Sequence, residues 1–209
     1  MQEENKGTFL AVILYYLKEW GLFLLILTAF ILTRIYVWSP VTVDGHSMDP
    51  TLEDGEKIIM VKTTTIERFD IVVASETDDN GTEKLIVKRV IGMPGDTIRY
   101  ENDILYVNDE EVEEEYLAEF KAAFALDKLQ SEYSYSTQFQ SRAQFASAFT
   151  TDSANLPIFT VEVPEGEYYL LGDNRLVSAD SREVGTFSAD AIEGEIVFRY
   201  WPFSQFGGV

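Results

Sequence analysis

Two short segments carry residues able to do chemistry together. In Val43-Asp44-Gly45-His46-Ser47-Met48-Asp49-Pro50-Thr51-Leu52 a serine sits in a turn bracketed by glycine and proline. In Val87-Lys88-Arg89-Val90-Ile91-Gly92-Met93-Pro94-Gly95-Asp96 a lysine sits inside an apolar, strand-like run. A serine hydroxyl becomes a nucleophile when a neighbouring base takes its proton. A lysine serves as that base only where burial lowers its pKa from about 10.4 by several units. Lys88 alternates with Ile86 and Val90, so in a strand the three share one apolar face. Gly45 permits close backbone approach and Pro50 fixes the exit of the turn. Such a turn can aim N–H groups, that of Ser47 among them, at one point and form an oxyanion hole. The chemistry suggested is that of a membrane-bound serine–lysine hydrolase. A plainer reading stands beside it: Ser47 as a turn residue, and Lys88 directed to solvent.

Other catalytic classes fit less well. The single histidine, His46, adjoins Ser47, and neighbours in an extended turn point apart, so His46 is read as a passive neighbour. One histidine and no cysteine leave little for a metal site and nothing for a thiol nucleophile or a disulfide. No phosphate-binding glycine motif occurs, and no cofactor is expected. Asp173, Asp180 and Arg182, in a dense polar loop from Gly172 to Arg182, are candidates for a buried ion network that pins the loop. Ser178 in the same loop is placed to hydrogen-bond the lysine amine.

The segment that must hold this chemistry near a membrane lies just before it. Residues 20–38 form an apolar run with Trp20, Tyr36 and Trp38 as belt residues and Arg34 near one end. A spanning helix needs about 20 such residues, and Arg34 can snorkel to the interface. The preceding residues 1–19 read as a cytoplasmic tail. Lys6 and Lys18 favour an N-inside orientation, with the catalytic domain on the extracytoplasmic side. The rival reading, a cleaved signal peptide, lacks a clearly basic start and a small-residue cleavage site. The charged pair Lys18-Glu19 argues against one long span reaching back to Phe9.

From Ser39 the pattern is β. Strands are expected at 57–62, 69–74, 84–91, 97–100, 104–107, 158–163, 168–171 and 192–200, with a hairpin loop from Thr77 to Thr82. Many short strands punctuated by Gly, Pro, Asn and Asp indicate an all-β sandwich or barrel. Composition shifts over 111–156, which is rich in Glu, Ala, Ser, Gln, Tyr and Phe. Tyr116 to Leu129 has helical spacing; Gln130 to Ala154 is polar with scattered aromatics. This stretch reads as a variable insertion or cap rather than a catalytic element, with a substrate-recognition subdomain as the alternative. The catalytic domain is then 39–110 joined to 157–209.

The chain has 209 residues, 46% hydrophobic, and a net charge of −20. Lys6, Lys18 and Arg34 balance Glu3, Glu4 and Glu19, so the whole charge falls after residue 38. A domain this acidic is a poor nucleic-acid binder, which needs a basic footprint. Its surface reads as solvated and aggregation-resistant.

Gly45-His46-Ser47-Met48-Asp49-Pro50-Thr51-Leu52, Phe69-Asp70-Ile71-Val72-Val73, Lys88-Arg89-Val90-Ile91-Gly92-Met93-Pro94-Gly95-Asp96 and Gly172-Asp173-Asn174-Arg175 through Ser178-Ala179-Asp180-Ser181-Arg182 resemble, in order and spacing, the four ectodomain boxes of the type I signal peptidases. The shape is similar to the Gram-positive form with one N-terminal span. The resemblance implies an antiparallel β-rich serine–lysine protease fold that removes signal peptides from exported precursors after small residues (Ala-x-Ala), through an acyl-enzyme. It implies Ser47 as nucleophile, Lys88 as general base and then acid, Ser178 as the residue orienting the lysine, and Asp180, Arg182 and Asp173 as supports of the loop. Val41, Val43, Met48, Ile86 and Val87 would pair with and line the extended substrate. The partners implied are exported precursors and the lipid bilayer, with no nucleic acid and no metal. One departure is Gly45, where some members carry a serine whose hydroxyl helps bind the oxyanion; loss of such a donor costs roughly 10²–10³ in rate, so a compensating donor is expected. Two other functions stay open on the sequence: a self-cleaving serine–lysine protease, and a catalytically inactive membrane-anchored β-domain that binds partners.

Overall fold

The computed structural model describes residues 2–77 and 80–209; side chains of the first helix are described from residue 15 on, residue 17 excepted. It divides into two units, 1–39 and 40–209.

The first unit is one helix, α1 (Gln2–Tyr36). It runs unbroken through Lys18-Glu19, because charged residues are good helix formers and break only the hydrophobicity of the segment. The part long and apolar enough to cross a membrane is Lys18–Tyr36, with a mean hydropathy of 1.5 and none of it buried. The helix thus ends two residues earlier than the expected anchor. Trp38 begins a strand instead, although Val37 still donates to the Thr33 carbonyl at 2.8 Å. Arg34 closes the end: its guanidinium donates to the Ser39 hydroxyl at 2.9 Å and lies 5.5 Å from the Trp38 ring centroid. A cation there also suits the negative end of the helix dipole.

The second unit is built from antiparallel strands. In chain order they are β1 (Trp38–Thr42), β2 (Lys57–Val61), β3 (Ile71–Thr77), β4 (Glu83–Gly92), β5 (Thr97–Glu101), β6 (Ile104–Val107), β7 (Glu110–Val112), β8 (Ile158–Glu162), β9 (Glu167–Leu171), β10 (Phe187–Ser188), β11 (Ile192–Trp201) and β12 (Gly207–Gly208). One sheet has the order β1-β2-β11-β3-β4-β9-β10, with β12 on β11; the other has the order β7-β6-β5-β8. The hairpin expected at 77–82 is consistent with the pairing of Thr77 with Glu83; its residues 78–79 lie outside the described part.

Two consequences matter for the site. First, β3 pairs with β4 along its whole length, from Ile71↔Arg89 to Thr77↔Glu83, but β9 meets β4 only at Arg89, Val90 and Gly92. The stretch before Arg89 therefore keeps one edge free of a partner strand among the described residues. Second, alternation along β4 sends Val87 into a core with Val43, Met48, Leu52, Ile58, Met60, Ile71, Val73 and Ile196. Ile86 and Val90 go to another, with Val72, Ala74, Leu170 and Phe187.

The segment 111–156 folds around its own core of Leu117, Phe120, Phe124, Leu129, Tyr133, Ala143 and Phe149. The helical spacing read at Tyr116–Leu129 gives a short 3₁₀ turn and then α2 (Ala118–Asp127), which stops where Lys128 and Leu129 take left-handed backbone angles (φ 59° and 57°). A second helix, α3 (Thr137–Phe145), arises inside the stretch read as merely polar. Ser136 caps it, its hydroxyl accepting the Phe139 N–H at 3.3 Å. A one-turn helix, α4 (Ser181–Val184), closes the polar loop after β9.

Candidate active site

Ser47 lies in the turn after β1. The turn is fixed at its base by Val43 donating to the Glu56 carbonyl at 2.9 Å and by Gly55 donating back to Val43 at 3.0 Å. It is fixed at its tip by the Gly45 N–H on Asp54 Oδ1 at 2.7 Å. Met48 and Leu52, at 1% and 0% exposure, drive its far side into the core, each burial worth roughly 1.5–3 kcal/mol. Gly45 has φ +87°, a conformation L residues rarely adopt, although nothing lies within 4 Å of where a Cβ would stand. Glycine at this position therefore answers to the backbone, not to want of room for a serine side chain. The Ser47 N–H donates to no group among the described residues, as an oxyanion donor requires.

Lys88 comes from β4 and is 4% exposed. Its Nζ is 3.1 Å from Ser47 Oγ and 3.1 Å from the Val87 carbonyl. Burial pulls its pKa below the ordinary lysine value of 10.5, against the opposing pull of the Asp180 and Glu76 carboxylates. The sequence expectation of a serine paired with a desolvated lysine is thus the geometry found, and the solvent-directed alternative for Lys88 is not.

Asp180 pairs with Arg182 through both carboxylate oxygens, Nε to Oδ1 and Nη2 to Oδ2, each at 2.8 Å. Burial raises the Asp180 pKa, but the Arg182 cation together with hydrogen bonds from Arg182, Gly172 and Ser178 holds the carboxyl below its usual value. The same cation offsets the pull of Asp180 on Lys88. Asp180 Oδ2 also accepts the Gly172 N–H at 3.0 Å. Gly172 packs tightly against the Ser47 turn: a Cβ there would collide with Ser178 Oγ and lie 2.5 Å from the Ser47 carbonyl oxygen.

Three expectations need amendment. The sequence puts Ser178 on the lysine amine; its hydroxyl instead donates to the Ala179 carbonyl at 3.4 Å and helps hold the Asp180 carboxyl low. The amine's own hydrogen bonds go to Ser47 and Val87, because Ser178 stands against Gly172. The sequence groups Asp173 with Asp180 and Arg182; it belongs to a separate pair, accepting Arg89 Nε and Nη2 at 2.8 and 2.6 Å and Thr51 Oγ1 at 2.6 Å. A buried guanidinium on β4 requires a carboxylate, and the one it meets is 84 residues away in sequence. Of the substrate-lining candidates, Val43 and Met48 are core residues at 4% and 1% exposure, so either can serve only as the floor of a subsite. Val41 and Val87 are partly buried beside them, and Ile86 packs on the other face of β4.

A set of residues behind the turn escapes the sequence reading. Asn174 donates from its backbone N–H to the Ser47 carbonyl and from Nδ2 to the His46 carbonyl, both at 3.0 Å. Arg175, buried, donates to Gly172 O at 3.1 Å, Tyr100 OH at 2.8 Å, Thr150 Oγ1 at 3.2 Å and Glu114 Oε1 at 2.5 Å. Burial alone would raise the Glu114 pKa; Arg175 and Lys121 bring it down to about 2. The sequence marks only one end of this network: Arg175 lies in a buried run, whereas Glu114 is one of several consecutive glutamates whose neighbours Glu113 and Glu115 are exposed. His46, read as passive, pairs with Asp49 Oδ2 at 3.1 Å and stays out of the dyad. Among the described residues no cluster of His, Cys, Asp and Glu could hold a metal ion.

The family model "Signal peptidase, peptidase S26" matches residues 17–201. A signal peptidase I of Streptococcus pneumoniae is 60% identical over 199 residues, covering 92% of this chain and 96% of the relative. A signal peptidase IB of Staphylococcus aureus is 40% identical over 199 residues, covering 91% and 92%. Among solved structures, a signal peptidase I from Enterococcus faecalis is 30% identical, covers 63% of this chain and 97% of its own, and gives a TM-score of 0.44. Ser47, Lys88 and the loop behind them all fall inside the matched region, and with relatives this similar over nearly their whole length the chain belongs to the signal peptidase family, peptidase S26.

Proposed function

We propose that the chain is a membrane-anchored serine endopeptidase that removes N-terminal signal peptides from exported precursors, with Ser47 as nucleophile and Lys88 as its base. The observation that carries the assignment of roles is the 3.1 Å approach of a desolvated Lys88 amine to Ser47 Oγ. A neutral amine takes the hydroxyl proton as Oγ attacks the carbonyl of the residue before the cleavage site. The C–N bond breaks, Lys88 returns the proton to the leaving amine of the mature protein, and an acyl-enzyme ester remains on Ser47. Water, deprotonated by the same amine, hydrolyses it. The Ser47 N–H supplies one oxyanion donor.

The free edge of β4 before Arg89 supports substrate binding as an added strand, a mode suited to an extended cleavage region. Shallow floors of valine and methionine favour small side chains at the Ala-x-Ala positions. The apolar helix Lys18–Tyr36 supports a single-pass anchor, and Lys6 before it and Lys18 at its first residue support an N-inside orientation with the domain on the extracytoplasmic side. Trp201, Phe203 and Phe206, at 47%, 73% and 60% exposure, supply an apolar rim suited to resting on the bilayer.

The test is cleavage of an exported precursor bearing an Ala-x-Ala site by the liposome-reconstituted protein, beside Ser47→Ala and Lys88→Met, with the new N-terminus mapped. Cleavage directly after the site by the parent and by neither variant is the expected result. No cleavage by a folded parent, or cleavage surviving in Ser47→Ala, sinks the proposal.

A further inference from the structure

The segment 111–156 grips the nucleophile turn on both sides of Ser47. On one side, Tyr135 OH donates to Asp49 Oδ2 at 3.3 Å, and the rings of Tyr135 and Phe139 lie 5.0 and 5.8 Å from the His46 ring. On the other, Tyr133 OH donates to Asn174 Oδ1 at 2.5 Å. Asn174 in turn holds the two carbonyls flanking the nucleophile, those of His46 and Ser47. Tyr133 is 1% and Asn174 0% exposed. Leu176 and Val177, which follow Asn174, pack into the segment's own core. The two Asn174 bonds end on the backbone of residues 46 and 47, which sets where Ser47 Oγ stands. A general stabilising contact would have no reason to converge there.

The Asn174 amide has two unlike ends, and one orientation only serves the turn. With Oδ1 toward Tyr133, Nδ2 faces the His46 carbonyl and donates to it. Flipped, it would set oxygen against oxygen at His46. The His46 carbonyl, which can only accept, excludes the flipped amide, and the Tyr133 hydroxyl, a donor here, holds Oδ1 in the orientation that serves the turn. Burial pushes its pKa above the ordinary tyrosine value, so it keeps its proton over the working range.

We propose that Tyr133 is a positioning residue for the nucleophile: through the Asn174 amide it sets the backbone of His46 and Ser47, which makes segment 111–156 a working part of the catalytic apparatus and not a cap. The inference rests on Ser47 being the nucleophile. It corresponds to a geometric demand of the reaction, since a misplacement of about 1 Å costs on the order of 100-fold in rate.

The experiment uses the full chain in liposomes with an Ala-x-Ala peptide substrate, kcat and KM measured separately, and melting temperature recorded for each variant. Tyr133→Phe keeps the ring in its pocket and removes only the hydroxyl. Its kcat is expected to fall by between about 10-fold and about 100-fold, with KM and the folded fraction unchanged. Asn174→Ala should lose a comparable factor, and the double variant no more than the larger single loss, because the two act in series. Tyr135→Ala, at a residue 56% exposed, threatens no core and should also lower kcat. Leu126→Ser, on the same segment at 86% exposure, should cleave like the parent. Parental kcat in Tyr133→Phe, a loss wholly in KM, multiplicative losses in the double variant, or a loss matching the unfolded fraction overturns the inference. If Tyr133→Phe does not fold, parental kcat in Tyr135→Ala overturns it. Cleavage by Ser47→Ala in the same assay would instead bring down the assignment of the nucleophile, whatever Tyr133 does.

Discussion

A buried lysine is a costly choice for a fold, and Lys88 is surrounded in a way that disfavours its charged form. Desolvation lowers its pKa, and the opposing pull of the Asp180 carboxylate is offset in part by the Lys84 and Arg182 cations. Arg182 therefore acts on Lys88 at a distance, through its charge. In Arg182→Gln the uncancelled Asp180 carboxylate should raise the Lys88 pKa. The sign follows directly: with Lys88 as the proposed base, cleavage needs the amine neutral, so the acidic limb of kcat/KM should move to higher pH. A pH–rate profile of the variant against the parent reads this; a limb that stays in place or moves to lower pH contradicts it. Arg89 has the complementary task of making Asp173 tolerable at 0% exposure. Arg89→Met should destabilise the domain by about 3–5 kcal/mol, as breaking a buried pair does, in equilibrium urea unfolding.

At the scale of elements, the catalytic turn is held by the loop after β9, and the tightest point is Gly172. Its missing Cβ is the space taken by Ser178 Oγ and the Ser47 carbonyl, the latter at 2.5 Å. A backbone oxygen cannot rotate away as a side chain can. Gly172→Ala should therefore displace the turn and lower kcat on the order of 100-fold while the β-sheet signature in circular dichroism persists; parental kcat would mean the loop yields freely. The strands of this arrangement are legible in the sequence because period-two alternation and Gly/Pro/Asn turns mark them locally. The Ser47–Lys88 pairing is legible because a lone lysine on the inner face of an apolar strand needs a polar partner there, and the serine turn supplies one. What escapes such reading are contacts between distant segments that local pattern does not encode. Asp173 looks like a partner for Arg182 in the same loop, and its true partner is on β4. Helix α3 is hidden because its exposed face is polar and its start depends on one capping hydroxyl at Ser136. The role of Tyr133 is hidden for the same reason: a lone tyrosine in a polar stretch carries no sign that it meets Asn174.

Across the whole molecule, a −20 charge sits on a domain whose interior holds several compensated ion pairs. Glu114 shows the consequence for acid stability. Its folded pKa, about 2, lies below its ordinary 4.5, so its contribution is complete above pH 4.5 and is lost as the pH falls toward 2. The size is on the order of 3 kcal/mol. Glu114→Gln should be less stable at neutral pH, with Arg175 left unpaired, and should show a flatter dependence of melting temperature on pH between 4.5 and 2. An equally steep dependence in the variant would mean that acid stability owes nothing to Glu114. The anchor gives a second expectation at this scale. Residues 40–209 alone should cleave a soluble peptide, yet lose most activity on membrane-inserted precursors if the helix and the Trp201–Phe206 rim bring site and substrate together. Equal activity on both substrates would argue against a membrane role for the rim.

The most direct test of a Ser47–Lys88 dyad is the titration of the Lys88 amine itself. It would be followed by nitrogen-15 NMR on lysine-labelled protein, alongside the pH dependence of kcat/KM. The predicted result is one value from both measurements, below 10.5, and a kinetic limb that vanishes with all cleavage in Lys88→Met. An amine titrating at the ordinary lysine value, or cleavage persisting in Lys88→Met, would contradict it.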